Sequence, residues 1–581
     1  MISLSGNSAN CIRLQQQSFP LTLIGSAAAI AEVEGLTMDP RSYESAKFEV
    51  SEPLQKVVAH AAPAASAAVA SFGGILFPPG LEAQPFDHAN EPDCFIDLNL
   101  DQVIAAVVAK RDEKTLRSIF YSPFRNEDIV RYRQAVFSDL ERTDVFALFP
   151  VFCEAMRSVR ANLGYAEQIS HRSHKHTVFL RAVRLYCQGV TSLLRDLQSV
   201  APQSSGLRNL LGYLNFYSES AAFRKLAGEA DQLHEILSNL SYDMLFRGDQ
   251  VTVRRYASEP DYTVTVLERF AKFRETEATV PAPRKTMDGF SLNHIEQAIL
   301  EFVSRLFPVE FRRLDEFVGN HREFIDETIA RFDREIGFYV AYLDFIDPLK
   351  HAGLPFCHPE VSVSSKNTLV EGSFDLALAA KLMQEKNVIV CNDLQLSGQE
   401  RLLVVSGPNQ GGKTTFARMF GQLHFLAGLG CPVPGKAARL FLPDRIFTHF
   451  EREEDITNLR GKLEDELVRL HASCEAMTSD SVIVLNEIFN STSLHDQIFL
   501  STRILERILA TGAIGVCVTF IDALSTLNDK TVSMVSTVDP EDSARRTFKI
   551  IREPANGLAY ALSLAQKHGV AYEQLRRRVR P

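Results

Sequence analysis

The segment Gly407-Pro-Asn-Gln-Gly-Gly-Lys-Thr-Thr415, entered from the apolar run Leu402-Leu-Val-Val405, limits what this chain can fold into more than any other stretch. It fits a strand, a glycine-rich loop and a helix in the order of a P-loop nucleotide site. In such a loop Gly407, Gly411 and Gly412 let backbone N–H groups turn towards phosphate, and Pro408, Asn409, Gln410 and Thr415 complete the cradle. Lys413 then reaches the terminal phosphates of ATP, and Thr414 offers its hydroxyl to Mg²⁺. The following helix, expected from about Lys413 to Leu426, points its positive end at the anion. Nucleotide binding is the first expectation.

A second element supports it. Ser481-Val-Ile-Val-Leu485 is rich in β-branched and apolar residues, suits a strand buried on both faces, and ends in Asn486-Glu487. This reads as a Walker B strand. Glu487 at its carboxyl end would orient and deprotonate the attacking water beside the γ-phosphate. The alternative is a solvated strand-end carboxylate.

With 581 residues and 45% hydrophobic content, the chain can hold roughly two to four domains with sizeable cores. No uninterrupted apolar stretch reaches the roughly 18–20 residues of a membrane helix, and Leu21 to Ile30 is too short to span or to form a convincing signal peptide. A soluble, cytoplasmic protein without a membrane role is expected. The nine cysteines lack Cys-x-x-Cys spacing and nearby histidine pairs, which favours reduced core thiols over disulfides or zinc. A net charge of −10 offers no general basic field to DNA, so any nucleic-acid contact must be local. The tail Arg576-Arg-Arg-Val-Arg580 is either such a contact or a solvated helix end.

Residues 1–92 are irregular, with Ala61-Ala-Pro-Ala-Ala-Ser-Ala-Ala68 and Phe77-Pro-Pro-Gly80 reading as linker or weakly ordered sequence. From Asp93 the pattern becomes helical. Val251-Thr-Val253 and Tyr262-Thr-Val-Thr-Val266, separated by Ser258-Glu-Pro-Asp261, read as a β-hairpin among helices. Ile325, Ile329, Phe332, Ile336, Tyr339, Leu343 and Ile346 then repeat at steps of four and three, predicting a long helix that is either a lever or a bundle core, ended at Gly353-Leu-Pro355. From about Val388, strands alternate with helices, so a mostly parallel sheet with its ligand at the carboxyl ends is expected.

Taken together, the glycine-rich loop, Pro443-Asp-Arg-Ile-Phe-Thr448, Leu485-Asn-Glu-Ile488 with Ser491-Thr-Ser493, and Thr547-Phe-Lys-Ile550 before Gly557-Leu-Ala-Tyr560 resemble the MutS mismatch-repair ATPase family in order and spacing. Similarity covers roughly Val388 to Gly569, and more weakly Asp93 to Glu360 through Asp97-Leu-Asn-Leu100, Tyr132-Arg-Gln134 and Phe356-Cys-His-Pro-Glu360. The resemblance implies a multidomain α plus α/β protein. A helical core and lever domain over 93–360 would carry a small β clamp insertion near 249–270. An ABC-type P-loop NTPase domain over 361–569 would follow, and then a basic tail over 570–581. It also implies a homodimer whose two composite ATP sites are each completed by the other subunit, with levers closing a clamp on double-stranded DNA. The family reads mismatches through a Phe-x-Glu motif in a domain for which the 92 preceding residues leave no room. Phe152-Cys-Glu154 and Phe273-Arg-Glu275 read as chance matches. No nuclease-like segment is expected after residue 569, and the short C-terminal stretch points to a weak or nucleotide-dependent dimer.

Departures from the family pattern bear on mechanism. Asn486 stands where the family has a Mg²⁺-associated Asp, supplying an oxygen without charge. Gly461 stands where a signature serine would reach the partner's γ-phosphate. Arg460 or Lys462 could supply charge instead, or be solvated helix-end cations. Phe520 replaces a histidine near the attacking water and reads as core packing. Ser493, His495 and Asp496 fall where the family has a loop facing the opposite site, although Asp496 equally suits a helix cap. Asn392, in Cys391-Asn-Asp393, resembles a segment bordering adenine. The leading expectation is a DNA-clamping ATPase without mismatch reading. The alternatives are a nucleotide-gated scaffold with little hydrolysis, and an ATPase whose levers engage a protein partner.

Overall fold

The computed structural model describes residues 10–13, 72–81, 90–109, 113–247, 250–256, 294–385, 388–451, 461–539, 545–555 and 569–579. The chain divides into two units built from separated segments, 1–70 with 151–196 and 212–326, and 71–150 with 197–211 and 327–581.

In the first unit, helix Ala221–Ser238 starts where Ser220 accepts a hydrogen bond from Phe223 N, and it buries Phe223, Leu226, Ala230, Leu233 and Leu237 on one stripe. That stripe packs on helix Pro308–Asn320, which buries Phe311, Leu314 and Phe317. Strands β1 (Asn10–Arg13), β2 (Tyr242–Arg247) and β3 (Gln250–Arg255) form an antiparallel sheet in that order. The run Val251-Thr-Val253 therefore lies in β3 and pairs backwards, Val251 opposite Phe246 and Val253 opposite Met244. Its expected partner, Tyr262 to Val266, lies outside the described residues. Phe152 is buried within helix Leu148–Gln168, while Phe273 lies outside the described residues.

The second unit holds β4 (Phe356–Cys357), β5 (Glu360–Ser362), β6 (Thr368–Ser373), β7 (Asn392–Leu396), β8 (Leu402–Ser406), β9 (Val433–Pro434), β10 (Ala437–Phe441), β11 (Ile446–His449), β12 (Val482–Asn486), β13 (Ile514–Val518), β14 (Thr531–Val538) and β15 (Arg546–Arg552). Six of them make one sheet in the order β11-β12-β13-β8-β14-β15, parallel except for β15. The central β8 and β13 are buried at every residue, because helices cover both faces of a parallel sheet. Helix Lys413–Leu429 packs on β12 and β13, while helices Lys462–Ala476 and Leu494–Thr511 share a core with Leu402, Val404, Ile483 and Leu485. A second sheet, β5-β10-β6-β7, is mixed.

Of the heptad residues, Ile325 lies before helix Glu327–His351 and is partly buried, while Ile329, Phe332, Ile336, Tyr339, Leu343 and Ile346 are buried in it, but so are Phe338, Val340, Ala341 and Tyr342. Burial this far around the helix is that of a bundle core, wider than a two-helix seam.

Within Phe77-Pro-Pro-Gly80 the weakly ordered reading is corrected at Phe77, which ends a buried segment, while Pro79 and Gly80 are exposed. Phe72, Ile75, Leu76 and Phe77 are buried. The backbone of this segment is held by side chains: Tyr132 Oη donates to Gly74 O at 2.9 Å, Arg133 Nε to Leu76 O at 3.0 Å, Tyr339 Oη to Ile75 O at 2.6 Å, and Arg331 to Gly73 O at 3.0 Å. At the C-terminal end, Arg576, Arg577 and Arg578 are exposed on helix Tyr572–Val579. Among the described residues no helix is long and apolar enough to cross a membrane.

Candidate functional site

After β8 the chain turns at Gly407, where φ is +117° and a Cβ would stand 2.9 Å from the Ser536 carbonyl, so glycine alone fits. Two anchors from the neighbouring strands hold the loop. Ser536 Oγ donates to Gly411 O at 2.8 Å, and Arg546 Nε donates to Asn409 O at 3.1 Å. Helix Lys413–Leu429 then begins after Gly412, with its unpaired N–H groups facing the loop.

Lys413 is 4% exposed. Its Nζ donates to Gly407 O at 3.0 Å and Pro408 O at 3.1 Å, and lies 4.1 Å from the centre of the Phe520 ring. Burial lowers its ammonium to about 8, against the opposing pull of Glu487 and with help from Arg546. Thr414 Oγ1 donates to Asn486 Oδ1 at 2.9 Å, joining the helix start to the end of β12. Glu487 follows in left-handed backbone, its N–H on Val518 O at 2.9 Å and its Oε2 accepting from Asn490 Nδ2 at 3.3 Å.

These residues converge. Asn409 to Thr415 and Glu487 line a cavity of ≈ 420 Å³ together with the apolar side chains of Phe374, Leu378, Leu382, Val388, Ile389, Val390 and Phe548. An apolar recess with a few convergent polar groups is the ordinary form of a small-molecule site. Gln410, Glu487 and Phe548, at φ +59°, +54° and +58°, all line it. Left-handed backbone at residues with a Cβ costs about 1 kcal/mol each, so the cavity rim is strained where the loops must turn inwards.

Asn392 also lines the cavity, but its amide is committed to the backbone, donating to Phe548 O at 3.1 Å and accepting from Ile550 N at 2.8 Å. It positions the wall. Asp375, 4% exposed, accepts from Leu378 N and from Gln422 on the loop's own helix, and burial raises its carboxyl. Ser536, Arg546 and the Phe374–Leu382 wall escaped the sequence reading. Ser536 and Arg546 act through backbone carbonyls, and the wall comes from a different sheet and helix, so no local pattern announces them.

Among the described residues no cluster of three or more His, Cys, Asp or Glu could hold a metal ion. Mg²⁺ does not need one, since it keeps waters and substrate phosphates and takes one or two protein oxygens. The adjoining Thr414 hydroxyl and Asn486 amide oxygen fit that donor set, with no carboxylate between them.

Of the residues expected to face a partner subunit, the described Gly461, Lys462, Ser493, His495 and Asp496 do not line this cavity. Gly461 is exposed, in extended backbone, and caps helix Lys462–Ala476 without a side chain. Lys462 is ion-paired with Glu451, and Arg460 lies outside the described residues. Ser493 caps helix Leu494–Thr511 by accepting from Asp496 N at 3.2 Å and donating to Asp496 Oδ2 at 2.7 Å, so Asp496 serves as half of a capping pair. His495 is exposed beside it. Phe520 is not core: it is 46% exposed, with the Lys413 ammonium over its ring.

Residues 403–575 match MutS domain V, a P-loop ATPase domain. The chain is 27% identical over 289 residues to the DNA mismatch repair protein MutS of Ruminiclostridium cellulolyticum, covering 48% of this chain and 32% of that protein. It is 25% identical over 316 residues to MutS of Chlorobium phaeovibrioides, 52% of this chain and 35% of that one. With MutS of Brevibacillus brevis identity reaches 30% over 154 residues, 26% and 18% of the two chains. The first two matches cover about a third of the relatives' own length. Domain V, together with these relatives, supports membership of the MutS family.

Proposed function

We propose that this protein is an ATPase that binds ATP in the Gly407–Thr415 cavity at a homodimer interface and couples binding and hydrolysis to closure of a clamp on double-stranded or branched DNA, without itself reading mismatches. The observation that carries the catalytic part is that Lys413, Thr414 and Glu487 line one cavity together with apolar side chains, while Thr414 is hydrogen-bonded to Asn486. Phosphates lie against the loop N–H groups and the helix start, and the base lies on the Phe548 and Leu378 side. Lys413 neutralises charge developing on the terminal phosphoryl group, and Glu487 orients and deprotonates the water for in-line attack. Thr414 and Asn486 would hold Mg²⁺, which when bound offsets phosphate charge. Residues 93–360 serve as the helical core and levers, residues 361–569 as the ATPase domain, and Gly461–Lys462 with Ser493–Asp496 as surfaces facing the partner.

Steady-state phosphate release by the purified chain, with and without duplex DNA, tests this reading. Lys413→Ala is expected to abolish nucleotide binding, whereas Glu487→Gln keeps ATP and stalls turnover. Equal turnover in wild type and Glu487→Gln would sink the assignment of the base. Duplex binding that weakens as salt rises supports DNA as the partner, since neutralised phosphates release counterions.

The neutral Asn486 favours a second reading, a nucleotide-gated scaffold with slow hydrolysis. ATP-dependent association without phosphate release above the Lys413→Ala background distinguishes it.

A further inference from the structure

An ammonium has three N–H donors. Two from Lys413 go to Gly407 O and Pro408 O, and its remaining side meets the face of Phe520, 4.1 Å away and well inside the roughly 6 Å reach of a cation–π contact. Lys413 thus has three protein partners. Phe520 is not fixed there by the core, since 46% of its surface is exposed. Nor does it line the cavity, whereas Lys413 and Glu487 both do. The ring therefore occupies the side of the ammonium that the two loop carbonyls leave, although Lys413 itself lines the cavity.

We propose that Phe520 competes with nucleotide phosphate for the Lys413 ammonium and thereby sets the affinity of the cavity for nucleoside polyphosphates, an inference that rests on the nucleotide-binding reading above. Of the three partners the ring is the weakest. A neutral π face attracts a cation less than an aligned carbonyl in a buried setting, so it is the contact released when a phosphate arrives. A polyphosphate long enough to reach Lys413 bears the cost of that release. A monophosphate held at the helix start does not. An aliphatic side chain of similar bulk keeps the surface covered and removes the competition.

Calorimetric titration of the full chain with ATP, ADP and AMP in Mg²⁺ tests this on wild type, Phe520→Leu and Phe520→Tyr. Phe520→Leu should bind ATP and ADP roughly threefold to tenfold more tightly, the scale of a partly desolvated cation–π contact. Its AMP affinity should stay at the wild-type value, and Phe520→Tyr, which keeps a π face, should match wild type throughout. Unchanged or weaker ATP binding by Phe520→Leu overturns the competition, as does an equal gain for AMP, which would mean a general change in the cavity. Wild type that binds ATP but ignores the substitution overturns this inference alone. Failure of every variant to bind any nucleotide overturns the site assignment with it.

Discussion

Helix Lys413–Leu429 begins among strained loops around an open cavity and ends in a closed cage, and the contrast separates what a site needs from what a fold needs. At its start, Gln410 and Glu487 hold left-handed backbone and the polar atoms of Lys413, Thr414 and Asn486 bond mainly to one another and to the loop. At its far end Gly430, at φ +78°, stops the helix where a Cβ would stand 2.7 Å from that of Arg133. The fully buried Arg133 donates to Leu429 O at 3.1 Å and Leu76 O at 3.0 Å, and its guanidinium lies over the rings of Phe77, Phe124 and Phe338. A cation at a helix C-terminus also meets the negative end of the dipole. Beside it Glu335 accepts from Ile75 N at 2.6 Å. The cage uses Arg133 Nε and Nη1 to hold three segments together, whereas at the open end Lys413, Thr414 and Glu487 line a cavity.

The comparison breaks most visibly at the cage. Arg133→Ala should cost on the order of 3–5 kcal/mol, because it leaves the Leu76 and Leu429 carbonyls buried without a donor and opens a void among Phe77, Phe124 and Phe338. Urea unfolding measures it, and a loss under about 1 kcal/mol would show that the cage is dispensable.

Next in size is a pH effect. Burial pushes the Glu335 carboxyl up to about 7 from an ordinary value of 4.5, outweighing the Ile75 N–H and the Arg331 charge. Between those values the folded chain holds a proton that the unfolded chain has lost, so stability is greatest below the lower value and falls as pH rises towards the higher one, by on the order of 3 kcal/mol. Glu335→Gln should remove that slope from denaturation midpoints taken between about pH 5 and pH 7. An unchanged slope would assign it to other groups.

The smallest effect belongs to the open end. Asn486→Asp should leave unfolding within about 0.5 kcal/mol of wild type. It should lower the Mg²⁺ concentration needed for half-maximal ATP binding by roughly tenfold, since it converts a neutral acceptor into a charged one. A stability loss as large as that of Arg133→Ala would erase the distinction between the two ends.

Much of the open end could be read from the sequence because it is local. The run Leu402–Val405, the glycines that follow and the helix Lys413–Leu429 are consecutive, and the apolar run Val482–Leu485 marks a second buried strand. Phe520 was misjudged as core because an aromatic residue following the apolar strand Ile514–Val518 carries the same pattern whether it turns inwards or covers a lysine. The burial of Phe72–Phe77 is not legible in the sequence, because their order comes from Tyr132, Arg133, Arg331 and Tyr339, far away in the chain, and leaves no periodicity behind.

By itself the sequence determined the P-loop, the parallel strands behind it and the long buried helix Glu327–His351, since periodicity and glycine spacing are short-range consequences of backbone geometry. Tertiary structure alone decided that Ser536 and Arg546 would tie the loop, that Asn392 would spend its amide on the wall, and that Phe520 would face Lys413. Those choices depend on which strands and helices become neighbours, and hydrogen bonds between distant segments impose no spacing on the residues that make them.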